Sequence, residues 1–459
     1  MSAVTTSTQD EMKAVVERAL DRARVAGATQ ADCLIVEGDD REVRVRGDEI
    51  EFVKQAQGRG LGIRAMVQGK GGLQTAIVST SDLAPDAVDR MAEEAVALAR
   101  ATAPDPTAGL PEGGFATEIP DLELFDASDR SVALEARIED AKRAEAAARS
   151  ADPRIDNSEG SQASSGFGRV VYGNSAGFVG GYESASHGLF AEPLARDGDS
   201  MQRDYWMTSG RRLADLDDPA SVGRKAADRA LRRLGGKRVP TCELPVIFDD
   251  MTAPSLLGQL VSCLNGYSVY RESSFLAKRL GDQIADSAVT VVDDALIKGG
   301  HGSKPFDGEG QPTRRNVLVE NGELKGWLLD TYAGRKLDMP STGSASRGTG
   351  SAPRVGTTNL CLEPGQKTLE EMIAELDRGL LVTELIGMGF NPTTGDYSRG
   401  AAGLWIEGGE IIHPVEEITI AGNLGDMLMD IDRIGSELVW RGRTASPPIR
   451  IAKMTIAGE

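Results

Sequence analysis

Arg41–Gln55, REVRVRGDEIEFVKQ, decides how the first part of the chain folds. Val43, Val45, Ile50 and Phe52 alternate with charged neighbours, which marks strands in a sheet with one wet face. ADCLIVEG before it, and GLGIRAMVQ and LQTAIVST after it, read as further strands. Two helices flank this block. Thr8 and Glu11 form a capping box ahead of Met12, Val15, Val16, Ala19 and Leu20 at helical spacing, and Gly27 ends the run. APDAVDRMAEEAVALARA is the second helix, with Pro85 near its first turn. Helices on one face of an antiparallel sheet give an α+β architecture, with an N-terminal α/β domain over residues 1–120. Pro104–Pro120 (PDPTAGLPEGGFATEIP) has linker composition.

Residues 121–236 read as a central α+β segment. It opens on the helix SVALEARIEDAKRAEAAARS, continues in strand-like pieces from Ile155 to Met207, and closes in a helix capped near Asp218. Residues 237–459, starting with the buried-strand run LPVIF, read as a β-rich C-terminal domain with large sheets. An imperfect repeat links Val317–Leu324 (VLVENGEL) to Leu404–Ile411 (LWIEGGEI). Asn321-Gly322 and Gly408-Gly409 suit type I′ turns, so both copies are expected to be hairpins.

The 459 residues suffice for two or three domains, and 40% hydrophobic with 26% charged residues is ordinary globular composition. With 51 Lys+Arg against 70 Asp+Glu the net charge is −19, a field that repels phosphate backbones and anionic lipid. A nucleic-acid or membrane partner is therefore not expected. No apolar run reaches the length of about 18 residues that spans a bilayer. MSAVTTSTQDEM lacks the basic and apolar regions of a signal peptide, and four scattered cysteines (Cys33, Cys242, Cys263, Cys361) fit a reducing compartment, so a cytoplasmic location is expected.

Candidate chemistry is sparse. The three histidines, His187, His301 and His413, are far apart in sequence, and His301 and His413 read as surface residues. Gly173–Gly177 (GNSAG) matches the G-x-S-x-G nucleophile elbow, but the glycines and alternating aromatics of FVGGYES read as a second strand where the elbow needs a helix. Ser175 is thus expected in a hairpin turn. Glycine-rich Ser341–Gly356 lacks phosphate-loop spacing and reads as a flexible or peptide-lining loop, in which Arg347 and Arg354 are carboxylate anchors. The pairs Asp249-Asp250 and Asp293-Asp294 read as turn caps, and Cys263 as a buried thiol in a helix.

Five blocks are recognisable as text: Tyr270–Ile284 (YRESSFLAKRLGDQI), Val317–Trp327 (VLVENGELKGW), Ser341–Gly365, Gly387–Gly403 (GMGFNPTTGDYSRGAAG) and Trp405–Asp426. With a weaker match at Glu51–Gly62, the chain resembles the TldD/PmbA family, and within it the TldE (PmbA) branch. The resemblance implies an α/β N-terminal part and a C-terminal domain with large β-sheets. It also implies a place in a cytoplasmic zinc metallopeptidase, built from TldD-like and TldE-like subunits, that degrades or matures peptides. The older family label, modulator of DNA gyrase, is not supported as direct DNA binding by so acidic a chain.

TldD-type members carry His-Glu-x-x-x-His, two zinc ligands around a general base. Counting back from Gly281-Asp282-Gln283 puts those places at Leu257, Gly258 and Ser262, which supply neither a histidine ligand nor a base. The C-terminal stretch also lacks the cysteine of TldD-type sequences. The resemblance therefore implies a subunit without catalytic residues or cofactor of its own, zinc being expected in a TldD-like partner. Unfolded or precursor peptides are the expected substrates, and a homodimer is the expected alternative assembly of the isolated chain. Arg347, Asn359, Asp396, Ser398, Arg399 and Asn423 are the candidates for peptide-lining or interface roles, with turn-stabilising roles equally open in their glycine-rich or turn-like settings. They are joined by Tyr267, Tyr270 and Arg271, which read equally as core. The alternatives are a peptide-binding or chaperone-like regulator without a proteolytic partner, and a serine hydrolase using Ser175.

Overall fold

The computed structural model describes residues 7–458, and the leaderless reading of the N-terminus falls largely on residues 1–6, outside them. The first elements are α1 (Gln9–Val25), β1 (Gln30–Arg46), β2 (Glu49–Gly69), β3 (Gly72–Thr80) and α2 (Pro85–Ala99). Both halves of the Thr8–Glu11 capping box are formed. Next come α3 (Ala127–Arg130), α4 (Leu134–Ser150), β4 (Ile155–Asn174), β5 (Val179–Asp197), β6 (Ser200–Arg203), β7 (Trp206–Gly210) and α5 (Pro219–Leu231). Asp218 caps α5 by accepting from the Ser221 amide.

All seven strands join one antiparallel sheet in the order β3-β2-β1-β4-β5-β6, with β7 on β5, so the N-terminal and central segments share a single sheet. Alternation along β1 then assigns its two faces. Cys33 and Ile35 pack under α1 and α2, and Val43 and Val45 pack under α4 and α5. Leu34, on the opposite face, packs with Tyr172 and Phe178 on Phe306 of the C-terminal domain.

That domain comprises β8 (Cys242–Phe248), α6 (Pro254–Leu264), α7 (Gly266–Tyr270), β9 (Val291–Asp294), β10 (Arg315–Glu320), β11 (Glu323–Leu324), α8 (Thr331–Leu337), β12 (Ala345–Ser346), β13 (Arg354–Val355), β14 (Leu360–Leu362) and α9 (Leu369–Ala374). It continues with β15 (Arg378–Ile386), β16 (Asp396–Glu407), β17 (Glu410–Asn423), α10 (Leu424–Met429), β18 (Ile431–Ile434), β19 (Thr444–Ala445) and β20 (Ile449–Ala457). One sheet runs β11-β10-β9-β14-β19. The other runs β17-β16-β15-β8-β20-β18, and a β17–β20 pairing closes five of its strands into a ring. The repeated hairpins are both present, β10–β11 and β16–β17, one in each sheet. Asn321-Gly322 and Gly408-Gly409 all have positive φ, as type I′ turns require. Helix α6 buries Leu256, Leu257, Leu260, Val261 and Leu264 in the largest core, each such side chain contributing about 1.5–3 kcal/mol.

Two expectations about loops change. Pro104–Pro120 is a fastened strap: Arg335 donates to the Thr107 and Leu110 carbonyls, the Tyr332 hydroxyl to Asp105, and the Ala116 amide to the Gly310 carbonyl. The glycine-rich Ser341–Gly356 loop is docked on β2. A Cβ on Gly62 would lie 1.8 Å from the Thr349 carbonyl oxygen, so only glycine permits this backbone contact. Among the described residues, no helix is long and apolar enough to cross a membrane.

Candidate functional site

Helix α6 carries the three positions aligned with the catalytic motif. Leu257 points into the core, 3% exposed. Gly258 and Ser262 face solvent, and the Ser262 hydroxyl donates to the Gln259 carbonyl at 2.7 Å. Among the described residues, no three His, Cys, Asp or Glu side chains are grouped to hold a metal. The histidines sit in three separate places. His187 on β5 is buried, edge-on to Phe167, with Nδ1 at 2.9 Å from Ser165 Oγ. The surface expectation fails for the other two, which are half-buried: His413 stacks on Trp405, and His301 lines a cavity with Arg211.

Ser175 occupies the β4–β5 turn, followed by Gly177 at φ +102° and then a strand. Its hydroxyl accepts from the Ala31 amide at 2.9 Å, so it is a turn residue and no nucleophile elbow forms. Two of the four paired aspartates, Asp249 and Asp294, cap turns as expected, whereas Asp250 pairs with Arg441 and Asp293 bonds a residue far along the chain. Asp249 accepts from the Met251 and Thr252 amides, Asp293 from the Thr358 amide, and Asp294 from the Leu296 amide. Cys263 is fully buried, and burial pushes its thiol up to about 11.

The polar centre of the molecule lies where the N-terminal sheet meets the C-terminal domain. Asp32 on β1 is fully buried between Arg64 of β2 and Arg347 of the docked loop, and both guanidiniums bond its carboxylate. Burial pushes the Asp32 carboxyl up, but Arg347 and Arg64 together outweigh it and hold it below its ordinary range. Arg347 is thus a residue that fixes the domain seam. The reading of Arg347 as a carboxylate anchor holds, and its carboxylate is Asp32 of the ADCLIVEG strand.

Beside this triad is a cavity of about 320 Å³, bounded by the strap, Arg64, Glu309, Arg354 and a tyrosine cluster. Tyr267 and Tyr332 stack with centroids 5.9 Å apart, Tyr270 closes the cluster, and Arg271 lies over Tyr267 and Tyr270. The hydroxyls are committed within the chain: Tyr267 donates to Asp330 and Tyr332 to Asp105, each at 3.0 Å. The reading of Tyr267, Tyr270 and Arg271 as one cluster holds, and Tyr267 and Tyr270 also pack on the core. Glu309, which sequence reading missed, accepts from the Thr331 amide at 2.9 Å. Burial, then the neighbouring Asp307, pushes its carboxyl up to about 7.

The remaining candidates lie elsewhere. Asn359 is no peptide-lining residue: it is fully buried, donating to the Asp294 carbonyl and Ser303 Oγ and accepting from the Gly302 amide. Its whole amide is spent holding a loop. Asn423 caps α10 and donates to the Thr394 carbonyl beside Asp396. Asp396 and Ser398 are exposed, and Arg399 borders a separate charged cavity of about 370 Å³ with Glu192, Asp204 and Arg233.

Three family models match the chain: the PmbA/TldA metallopeptidase domain 1 at residues 31–99, the central domain at 127–234 and the C-terminal domain at 241–458. The metalloprotease PmbA of Escherichia coli O157:H7 is 40% identical over 418 residues, covering 91% of this chain and 90% of that protein. The PmbA homologue of Haemophilus influenzae is 36% identical, covering 98% of this chain and 97% of its own. Among solved structures, a modulator of DNA gyrase from Bacteroides thetaiotaomicron superposes with a TM-score of 0.91 at 28% identity, covering 98% of this chain and 100% of that one. TldE from Thermococcus kodakarensis gives a TM-score of 0.86 at 26% identity, covering 97% and 100%. Sequence, fold and domain order agree, and the chain belongs to the PmbA/TldD metallopeptidase family.

Proposed function

We propose that this chain is the non-catalytic, TldE-like subunit of a cytoplasmic heteromeric metallopeptidase. In this reading a TldD-like partner holds the zinc and its general base, and this chain shapes the cavity and restricts access to unfolded or precursor peptides. The observation that carries the reading is α6. Its motif positions present a buried leucine and a solvent-facing glycine and serine, none of which is a histidine ligand or a base. The likeness to TldE from Thermococcus kodakarensis supports the same branch.

An interface is supported by apolar exposure near the recognised blocks. Met388, in the GMGFNP stretch, is 98% exposed, and Ile386 at the end of β15 is 57% exposed. Exposed large apolar side chains of this kind mark association surfaces when they cluster. The neighbouring Pro392 carbonyl accepts from the Phe275 amide, which ties this loop to the Tyr267–Leu276 stretch. Tyr267 has internal partners, so substituting it reports on folding, whereas Met388→Asp reports on the partner.

The test is co-expression with a TldD-like chain, followed by size-exclusion and peptide-cleavage assays. The reading expects a complex that cleaves peptide, loses cleavage when the partner's His-Glu-x-x-x-His is altered, and weakens with Met388→Asp. Cleavage by this chain alone, at the rate of the mixture, would overturn it.

A further inference from the structure

Across Asp32 from the tyrosine cluster lies a second cavity, of about 240 Å³, whose charge runs against that of the chain. Arg211, Lys304, Arg347 and Arg443 line it beside His301, which burial and Arg211 keep neutral, in a protein of net charge −19. Arg211, 9% exposed, donates to the carbonyls of Ala185, Gly300 and His301, which uses three of its five N–H groups, and forms no ion pair among the described residues. Arg443 is exposed and has neither an ion pair nor a side-chain hydrogen bond there. Lys304 donates to the Ala345 carbonyl at 2.8 Å. Asp307 is the one carboxylate lining the cavity, and its oxygens already accept from the Glu309, Gln311 and Ala345 amides.

Orphaned donors are the second observation. The Arg347 side chain is 1% exposed, and its Nε and Nη2 have no hydrogen-bond partner among the described residues. The hydroxyl of Tyr172, itself 1% exposed, is also unpartnered. Buried donors are almost always satisfied, so open donors beside surplus positive charge suit an anionic ligand. The opposite wall is apolar, with Leu34, Val170 and Phe306. A volume below the roughly 300–1,000 Å³ of pockets for drug-sized ligands suits the end of a chain.

We propose that this cavity binds the C-terminal carboxylate of a peptide, with Arg211, Arg347 and Arg443 facing the carboxylate and the apolar wall holding the last side chain. Guanidinium groups suit a planar carboxylate because they donate in parallel pairs. The anion site stands on the geometry alone, while naming a peptide as its bearer rests on the peptidase-subunit reading.

The test uses the isolated full chain, so its failure is separable from failure of the partnership, which cleavage assays report. Calorimetric titration compares a tripeptide ending in phenylalanine, its C-terminal amide and inorganic phosphate. The free acid is expected to bind at least about tenfold more tightly than the amide. Arg443→Gln, at an exposed residue without partners, is expected to lower acid affinity by about tenfold with unchanged thermal unfolding. Equal binding of acid and amide, or binding of neither, overturns the proposal. So does phosphate binding as tightly as the acid with no loss when phenylalanine is replaced by alanine, which would make this a general oxyanion site.

Discussion

The tyrosine-lined and arginine-lined cavities flank one buried aspartate, yet close their polar groups differently. On the strap side the Tyr267 and Tyr332 hydroxyls each end on an aspartate of the chain, and Glu309 takes a backbone amide. On the other side, among the described residues, Arg211 and Arg443 have no carboxylate partner and Arg347 keeps two open donors. A polar group answered within the chain holds the domains together. One left unanswered in a buried place needs a ligand. The seam is therefore structural on one flank and receptive on the other, with Asp32 between them, bonded to Arg64 of the first cavity and Arg347 of the second.

The largest effect is expected at Asp32. Asp32→Ala leaves the buried Arg64 and Arg347 facing each other without a counter-charge, and breaking such a set costs about 3–5 kcal/mol. Urea unfolding measures it, and a loss below about 1 kcal/mol would mean that the seam does not depend on the triad.

Next in size is a pH effect confined to the strap side. Glu309 has its folded carboxyl near 7 against 4.5 for the free group, so the folded state holds a proton that the unfolded state has released. Stability from this group is complete below about pH 4.5 and declines as pH rises towards about 7, by about 2–3 kcal/mol. Asp307, Arg64 and the Thr331 amide face it and share in the titration. Glu309→Gln should flatten the stability profile across that window, and an unchanged profile would assign the slope to Asp307.

A smaller effect is expected of Tyr267→Phe. It leaves the ring stack and removes the one side-chain donor to Asp330, which keeps the Ala333 amide, for a cost of about 1–2 kcal/mol in thermal or urea unfolding. A loss much larger than this would show the hydroxyl organising the cavity as well as bonding one carboxylate.

Legibility followed the range of the interactions. Val43 and Val45 revealed strand structure because a strand's two faces are written in adjacent residues. The stretch Arg41–Gln55 is, however, the end of β1, a turn at Gly47 and the start of β2, with Ile50 exposed. Asn321-Gly322 revealed a hairpin because the turn needs those types locally. The glycine-rich loop misled because its rigidity comes from Gly62, far upstream, admitting the Thr349 carbonyl. Pro104–Pro120 misled in the same way, since Tyr332 and Arg335 fasten it from the other domain. Tyr267, Tyr270 and Arg271 were visible as a cluster, but their ring partner Tyr332 and the acid Glu309 have no local signature. Asn359 stood in a turn-like block that left a turn-stabilising role open, and its amide is spent in that way inside a loop.

The most direct test of the central claim is the zinc stoichiometry of the isolated full chain, purified metal-free, re-exposed to zinc and desalted. Structural zinc needs three or four ligands in tetrahedral array, whereas α6 offers Leu257, Gly258 and Ser262 and the histidines sit apart on β5, in the loop after β9 and on β17. The account predicts well under one equivalent of zinc per chain and no peptide cleavage. One firmly held equivalent with histidine ligands, accompanied by cleavage, would contradict it.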